Sequence, residues 1–260
     1  LTLTFVHQYV KVSDELIAAA RWLAQPELDA AILAEGNVSQ TAGEGQFWVK
    51  ASGHQLSSID ASGFVLVDAN AILARLDENL EDHAVKSALR EATIARGPAV
   101  PSVETFMHAW LLTLPGVECV LHAHPVPQIV LSSHPLAAKI CQHRLFPDEI
   151  VCCGPAMVWV PYVDPGLPLA QAIRREVTAY VERWSDFPRT ILLGNHGLIT
   201  LGGNLPQAKS AFQMAVKSGR AWVGALSLGW PETLSDDSIQ RIAGRPDELY
   251  RQRLLWAAAS

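Results

Sequence analysis

The sequence predicts a layered α/β or α+β domain around a sheet that is not purely parallel. Three observations predict it. Short apolar runs with strand character alternate with longer segments of helical period, which supplies both element types to one core. Two apolar strands, 190–193 and 198–201, are joined by Gly194-Asn195-His196-Gly197, a tight-turn composition that fits a hairpin rather than a parallel crossover. Apolar residues are 49% of 260, enough for a substantial core. No Pro/Gly/Ser-rich linker, charge block or internal repeat divides the chain, so one domain over residues 1–260 is expected.

Taken in order, Ser13-Asp14-Glu15 caps an amphipathic helix that runs to Ala24. Gly36-Asn37-Val38-Ser39 reads as a polar turn. Residues 46–50 alternate as a strand, broken by Ala51-Ser52-Gly53. Residues 64–67 form another strand, and 71–76 and 82–96 read as helices. Gly97-Pro98 and Pro101-Ser102 punctuate, and 103–114 is helical with Ser102 as its N-cap. Val117 to Pro125 is a short apolar strand ending at a proline. Helical segments follow at 127–132 and 135–145. Residues 150–153 and 157–162 are β-rich, and Asp164-Pro165-Gly166 turns. Residues 169–184 make a long helix whose apolar face is Ala172, Ile173, Val177, Tyr180 and Val181. Residues 207–226 are helical, and so is most of the polar tail from Asp236.

Bulk properties narrow the function. A net charge of −6 argues against a nucleic-acid or anionic-membrane surface, though not against a small basic pocket. No apolar run reaches the ~18 residues of a membrane span. Leu1 to Val12 lacks the basic region and cleavage site of a signal peptide. The four cysteines, 119, 141, 152 and 153, include no C-x-x-C and read as reduced thiols of a cytoplasmic protein.

Chemistry concentrates at strand ends and turns. Side chains two apart on a strand share a face, so His122 and His124 project together. Two converging imidazoles suit a cation such as zinc, although taken alone an H-x-H pair more often marks two histidines packed or hydrogen-bonded on a half-buried strand. His196 sits in a turn between buried strands and needs a partner. Glu104 lies in the first turn of a helix, where a carboxylate also simply complements the dipole. Three histidines and one carboxylate match a catalytic metal site with an open position. Gly36, Asn37, Lys50, Ser52, Gly53 and Ser102 supply backbone and side-chain donors for an anion. His108, four residues after Glu104 on one helix face, either orients it or is structural. His54, His134 and His143 read as solvated or structural, and His7 and His83 as surface residues.

Six segments together resemble the class II aldolase/adducin family. They are Gly-Asn-Val-Ser at 36–39, Lys-Ala-Ser-Gly at 50–53, Pro-Ser-Val-Glu-Thr at 101–105, Leu-His-Ala-His-Pro at 121–125, Val-Pro-Tyr-Val-Asp-Pro-Gly at 160–166 and Gly-Asn-His-Gly-Leu-Ile at 194–199. The resemblance implies a three-layer αβα fold around a central, mostly antiparallel mixed sheet. It places zinc ligands on His122, His124 and His196, with Mn2+ or Co2+ as other candidate metals. The acid/base falls on Glu104 and the phosphate pocket on Gly36, Asn37, Ser52, Gly53 and Ser102. Lys50 matches a lysine of the epimerase branch.

The implied activity is that of an aldolase, a metal-dependent lyase. It would cleave a carbon–carbon bond of a small sugar or hydroxy-keto substrate through a metal-stabilised enediolate, as a homotetramer with sites near its interfaces. A decarboxylase on the same site and an adducin-like interaction module are the alternatives. Epimerases of the family carry Asp at the position of Glu104, which argues against that branch. The family's Ser-Ser-Glu reads Ser102-Val103-Glu104 here, so one hydroxyl of the phosphate pocket is lost. The aldolases carry a mobile tail tyrosine; Tyr250 lies in that region, and the role is not carried over to it.

Overall fold

The computed structural model describes residues 11–94 and 99–257; His7, Gly97 and Pro98 lie outside them. Its centre is a seven-stranded sheet of β1 (Asn37–Gly43), β2 (Gln46–Lys50), β3 (Phe64–Asp68), β4 (Cys119–Ala123), β5 (Val158–Val160), β6 (Thr190–Leu193) and β7 (Gly197–Gly202), in the order β3-β2-β1-β4-β7-β6-β5. Every neighbouring pair is antiparallel except β5–β6.

Helices cover both faces. One layer holds α2 (Ala69–Leu73), α3 (Asp82–Glu91), α4 (Thr105–Leu111) and α8 (Leu167–Trp184), packed on Val49, Val67, Val120, Ile191 and Ile199. The opposite layer is built from α1 (Asp14–Leu23), α7 (Pro147–Cys153), α9 (Leu205–Leu226) and α10 (Asp236–Ala243), on Val38, Leu121, Ala123 and Leu198. Two short helices, α5 (Val126–Ser132) and α6 (Ala137–Cys141), follow β4, and α11 (Pro246–Ala257) closes the described chain. Alternation along β4 explains the layering, since Val120 faces one core and Leu121 the other. The αβα arrangement and mostly antiparallel sheet agree with the sequence expectation.

Local chemistry sets most boundaries. Ser13 caps α1 through its hydroxyl, Asp68 caps α2 through its carboxylate and Asn204 caps α9 through its amide oxygen. On α8, Ala172, Ile173, Val177 and Tyr180 are buried, and Val181 packs against the same core.

Four expectations are corrected. Asn37-Val38-Ser39 opens β1 rather than turning. Its strand period is hidden because Asn37 and Ser39, both buried, carry polar groups on their shared face. Residues 150–153 belong to helix α7, not a strand. Pro147 pre-sets the first turn and Asp148 and Glu149 complement its dipole, so burial of Ile150 and Val151 overrides their β propensity. The helix expected over 103–114 is α4, with Glu104 at its N-cap position. The helix expected over 82–96 ends at Glu91, and Thr93 bridges to Val67 at the edge of the sheet.

Among the described residues no helix is long and apolar enough to cross a membrane. All four cysteines are free and buried.

Gly36 shows how tightly the chain enters β1. Its φ is +68°, and a Cβ there would lie 2.7 Å from the carbonyl oxygen of His122. Gly36→Ala therefore combines left-handed strain with a backbone clash. We expect it to cost about 1–3 kcal/mol, read as a lowered urea midpoint at unchanged m-value.

Candidate active site

The site forms where β1, β4, the β6–β7 turn and the start of α4 meet. On β4, His122 is the Cα partner of Asn37 on β1 and of Ile199 on β7. His124 follows the strand, with its backbone N–H donating to the Ala30 carbonyl at 2.7 Å. His196 comes from the turn between β6 and β7. That turn seats tightly: a Cβ on Gly197 would lie 2.6 Å from the Ala123 carbonyl oxygen and 2.7 Å from His124 Cδ2. Only glycine permits this approach.

The three imidazoles therefore converge. Each pair of rings has its centroids 5.0 Å apart. One nitrogen from each lies within 4.8 Å of the others, an arrangement that can hold a metal ion. Glu104 completes the group, with Oε2 3.5 Å from His122 Nε2 and Oε1 3.4 Å from His196 Nε2.

Protonation follows from burial. Desolvation pushes His122 well below the usual histidine range, with His124 and His196 adding to the effect. Burial also lowers His124 against the pull of Glu35, and brings His196 to about 4. Neutral imidazoles keep lone pairs for a cation. Burial raises Glu104, opposed by the Asn37 hydrogen bond and the Lys50 charge. Lys50 is lowered by burial and raised by Glu104.

The donor set fits a cation. His122 Nδ1–H donates to the Leu198 carbonyl at 3.0 Å, so its Nε2 presents a bare lone pair. This nitrogen is 3.2 Å from His124 Nε2 and faces the Glu104 carboxylate. A single proton between the two histidines leaves Glu104 Oε1 still without a hydrogen-bond donor. A divalent ion would satisfy the lone pairs and the carboxylate together. The Nδ1–H bond to a backbone carbonyl is also the usual outer support of a metal-bound histidine.

The expected anion-pocket residues separate into two groups. Asn37, Lys50 and Ser102 cluster around Glu104. Asn37 Nδ2 donates to Glu104 Oε2 at 2.6 Å, and Ser102 Oγ accepts from the Glu104 N–H at 3.3 Å. Lys50 is buried at the end of β2, with Nζ donating to the Ala34 carbonyl at 3.0 Å. Gly36 lies beside them under the His122 carbonyl. Ser52 and Gly53 are exposed on the next turn, held by a bond from Ser52 N–H to the Val100 carbonyl at 2.8 Å.

Ser52 also lines a cavity of about 670 Å³ with His54, Ser62, Lys86, Arg90 and Val103. Its cations are Lys86 and Arg90 on exposed positions of α3, not Lys50. Sequence reasoning missed both, because helical charges usually mark a solvated face. It also missed Ser39, whose hydroxyl is 2.6 Å from His108 Nδ1. The available signal was the spacing of Asn37 and Ser39, two apart on one strand.

Among the weaker histidines, His143 packs edge-on against Trp230 and His134 accepts the Leu136 N–H. His54 lines the cavity. Tyr250 is exposed on α11.

The comparisons with known proteins fit this geometry. The family model of the class II aldolase and adducin N-terminal domain matches residues 14–223, and the chain belongs to that family. It is 29% identical over 178 residues to an uncharacterized oxidoreductase, YuxG, of Bacillus subtilis (strain 168). That match covers 64% of this chain and 23% of the relative, so this chain spans under a quarter of that protein.

Two solved structures share the fold. The N-terminal class II aldolase domain of a conserved Thermoplasma acidophilum protein is 24% identical with a TM-score of 0.64, covering 86% of this chain and 97% of that one. An L-fuculose 1-phosphate aldolase is 19% identical with a TM-score of 0.67, covering 90% and 97%.

Burial of His108 has a consequence for stability. It is fully enclosed, and desolvation lowers its pKa from 6.5 to about 3. The unfolded chain therefore binds a proton between pH 6.5 and about 3 that the folded chain refuses. Stability is complete above pH 6.5 and is lost as pH falls through that window, by up to about 1.4 kcal/mol per pH unit for one group. Urea unfolding of the metal-free protein should show a shallower loss between pH 6.5 and 4 in His108→Gln than in the unaltered chain.

Proposed function

We propose that the protein is a metal-dependent lyase, an aldolase that reversibly cleaves a carbon–carbon bond of a small sugar or hydroxy-keto substrate. The observation that carries this reading is the convergence of His122, His124 and His196 on one point beside Glu104. The three histidines would hold the metal, zinc first, with manganese or cobalt as alternatives. When bound, the ion supplies a Lewis acid to a carbonyl oxygen and accepts the negative charge released as the bond breaks. Membership of the family supports an enzyme over a purely scaffolding module, because every proposed ligand is present.

Each group then has a task. In the cleavage direction Glu104 accepts the proton of the hydroxyl beside the breaking bond at one carboxylate oxygen and delivers a proton to the carbon left with the electron pair; in condensation it removes that carbon-bound proton. Burial raises its pKa, which strengthens it as a base, and Asn37 keeps Oε2 in place. Lys50 balances the carboxylate's charge from within the fold. Ser52, Gly53 and Ser102 would receive the substrate's anionic end.

The single domain and cytoplasmic location belong to the same proposal. So does a symmetric homotetramer with sites near its interfaces. Exposed Val126, Ile129 and Val130 on α5, directly after His124-Pro125, support an interface at that edge.

Two predictions test this. Elemental analysis should find one divalent metal per chain. His122→Ala should lose metal and activity together, whereas Glu104→Gln should keep the metal and lose about 10²–10⁴-fold in turnover. A Glu104→Gln protein with near-normal turnover contradicts the assigned role.

The second concerns Val103, which lines the cavity beside Ser52 where the family pattern has a hydroxyl. A missing hydrogen bond to a charged group is worth about 1.5–3 kcal/mol. Val103→Ser should therefore raise the kcat/KM preference for a phosphorylated over an unphosphorylated substrate by about tenfold or more. A native preference of several orders of magnitude for the phosphorylated substrate contradicts the idea that the lost hydroxyl weakens the grip on phosphate.

A further inference from the structure

Beneath α4 four polar side chains form one buried chain. Ser39 Oγ lies 2.6 Å from His108 Nδ1, His108 Nε2 contacts Asn37 Oδ1, and Asn37 Nδ2 lies 2.6 Å from Glu104 Oε2. Ser39 and His108 are fully buried, and Asn37 and Glu104 nearly so. The fold does not need this chain for cohesion. β1 is already fixed by backbone pairing to β2 and β4, and α4 by buried Phe106, Met107 and Leu111. Buried polar groups carry a desolvation cost that apolar side chains would avoid.

The chain has a direction. An ionised carboxylate only accepts, so the Asn37 group facing Glu104 is its NH2. Its oxygen then faces His108, and two acceptors cannot pair, so His108 carries its proton on Nε2. The bare Nδ1 accepts from the Ser39 hydroxyl. Each link sets the next, from Ser39 to the one Glu104 oxygen that has a hydrogen-bond donor.

We propose that Ser39 and His108 are positioning residues for Glu104, acting through Asn37. The inference rests on Glu104 being the acid–base residue of the proposed reaction. Without a donor at His108 Nε2, the Asn37 amide is held from one end only, by its bond to Glu104. A rotated amide puts its oxygen against the carboxylate, and Glu104 is no longer aimed at the space between His122 and His196. Asn37 is thus occupied at both ends of its amide rather than free for a substrate anion.

The test has two arms. In protein labelled with 15N-histidine, metal-free and zinc-loaded, long-range 1H–15N spectra should find His108 as the Nε2–H tautomer. Ser39→Ala should weaken that preference. A proton on Nδ1 overturns the proposal, because it reverses every link.

The second arm follows exchange of carbon-bound hydrogens of dihydroxyacetone and dihydroxyacetone phosphate with D2O. His108→Phe should lower the maximal rate about 10–100-fold, with metal content and half-saturation unchanged. His108→Gln, which keeps a donor toward Asn37, should restore most of it. Equal losses in the Phe and Gln variants, or an effect on half-saturation alone, overturn the proposal. If His108→Phe does not fold, Ser39→Ala carries the same comparison. If the native protein exchanges neither probe, or Glu104→Gln exchanges as fast as native, the assignment of Glu104 fails, and the tautomer still decides whether the chain orients it.

Discussion

The register of β4 between β1 and β7 is the constraint on which the rest depends. It sets His122 opposite Asn37 on one side and Ile199 on the other. A slip of one residue would turn His122 into the opposite core and bring Leu121 to the site. The same register places the His122 Nδ1–H against the Leu198 carbonyl and brings Gly197 under the Ala123 carbonyl. Register is strongly specified here because both faces are buried under helices. The fold thus secures the site geometry through ordinary apolar packing of Val120, Leu121, Leu198 and Ile199.

Desolvation is the second determinant, and it acts on both signs of charge. It keeps the imidazoles neutral, so their nitrogens stay free to bind a cation. It also raises Glu104, while Asn37 and Lys50 oppose that shift. The result is an acceptor-rich nook in which Glu104 Oε1 lacks a hydrogen-bond donor. Such an imbalance is costly in a folded core and is the physical mark of a site built for a ligand. Family membership sets the fold, but the chemistry has to be argued from this nook, because one fold supports several reactions.

The surface beyond the nook differs in character. Ser52, Val103, Lys86 and Arg90 share an open cavity next to the segment that carries Glu104. Lys50, the cation expected to serve an anion, is turned inward and bound to Ala34. The positive charge lining that cavity therefore comes from α3, an element that contributes nothing to the three-histidine cluster.

By itself the sequence determined the layered class, most helices through their periodicity and caps, and the residues His122, His124, His196 and Glu104 as candidates. Those were legible because strand alternation and turn chemistry are local, and because six short segments resemble one family. It did not reveal β1, since Asn37 and Ser39 carry polar side chains on a buried face, where alternation of apolar and polar residues is lost. It misassigned 150–153, because β-branched residues follow burial rather than propensity when a helix packs on α9. It left His108 open between two roles, because hydrogen-bond partners distant in sequence leave no periodic trace. Only tertiary structure decided that Asn37 bridges Glu104 and His108, that Lys50 points inward, and that Lys86 and Arg90 face a cavity. Each depends on where separate elements meet, and that is fixed by packing and strand register rather than by any local pattern of residues.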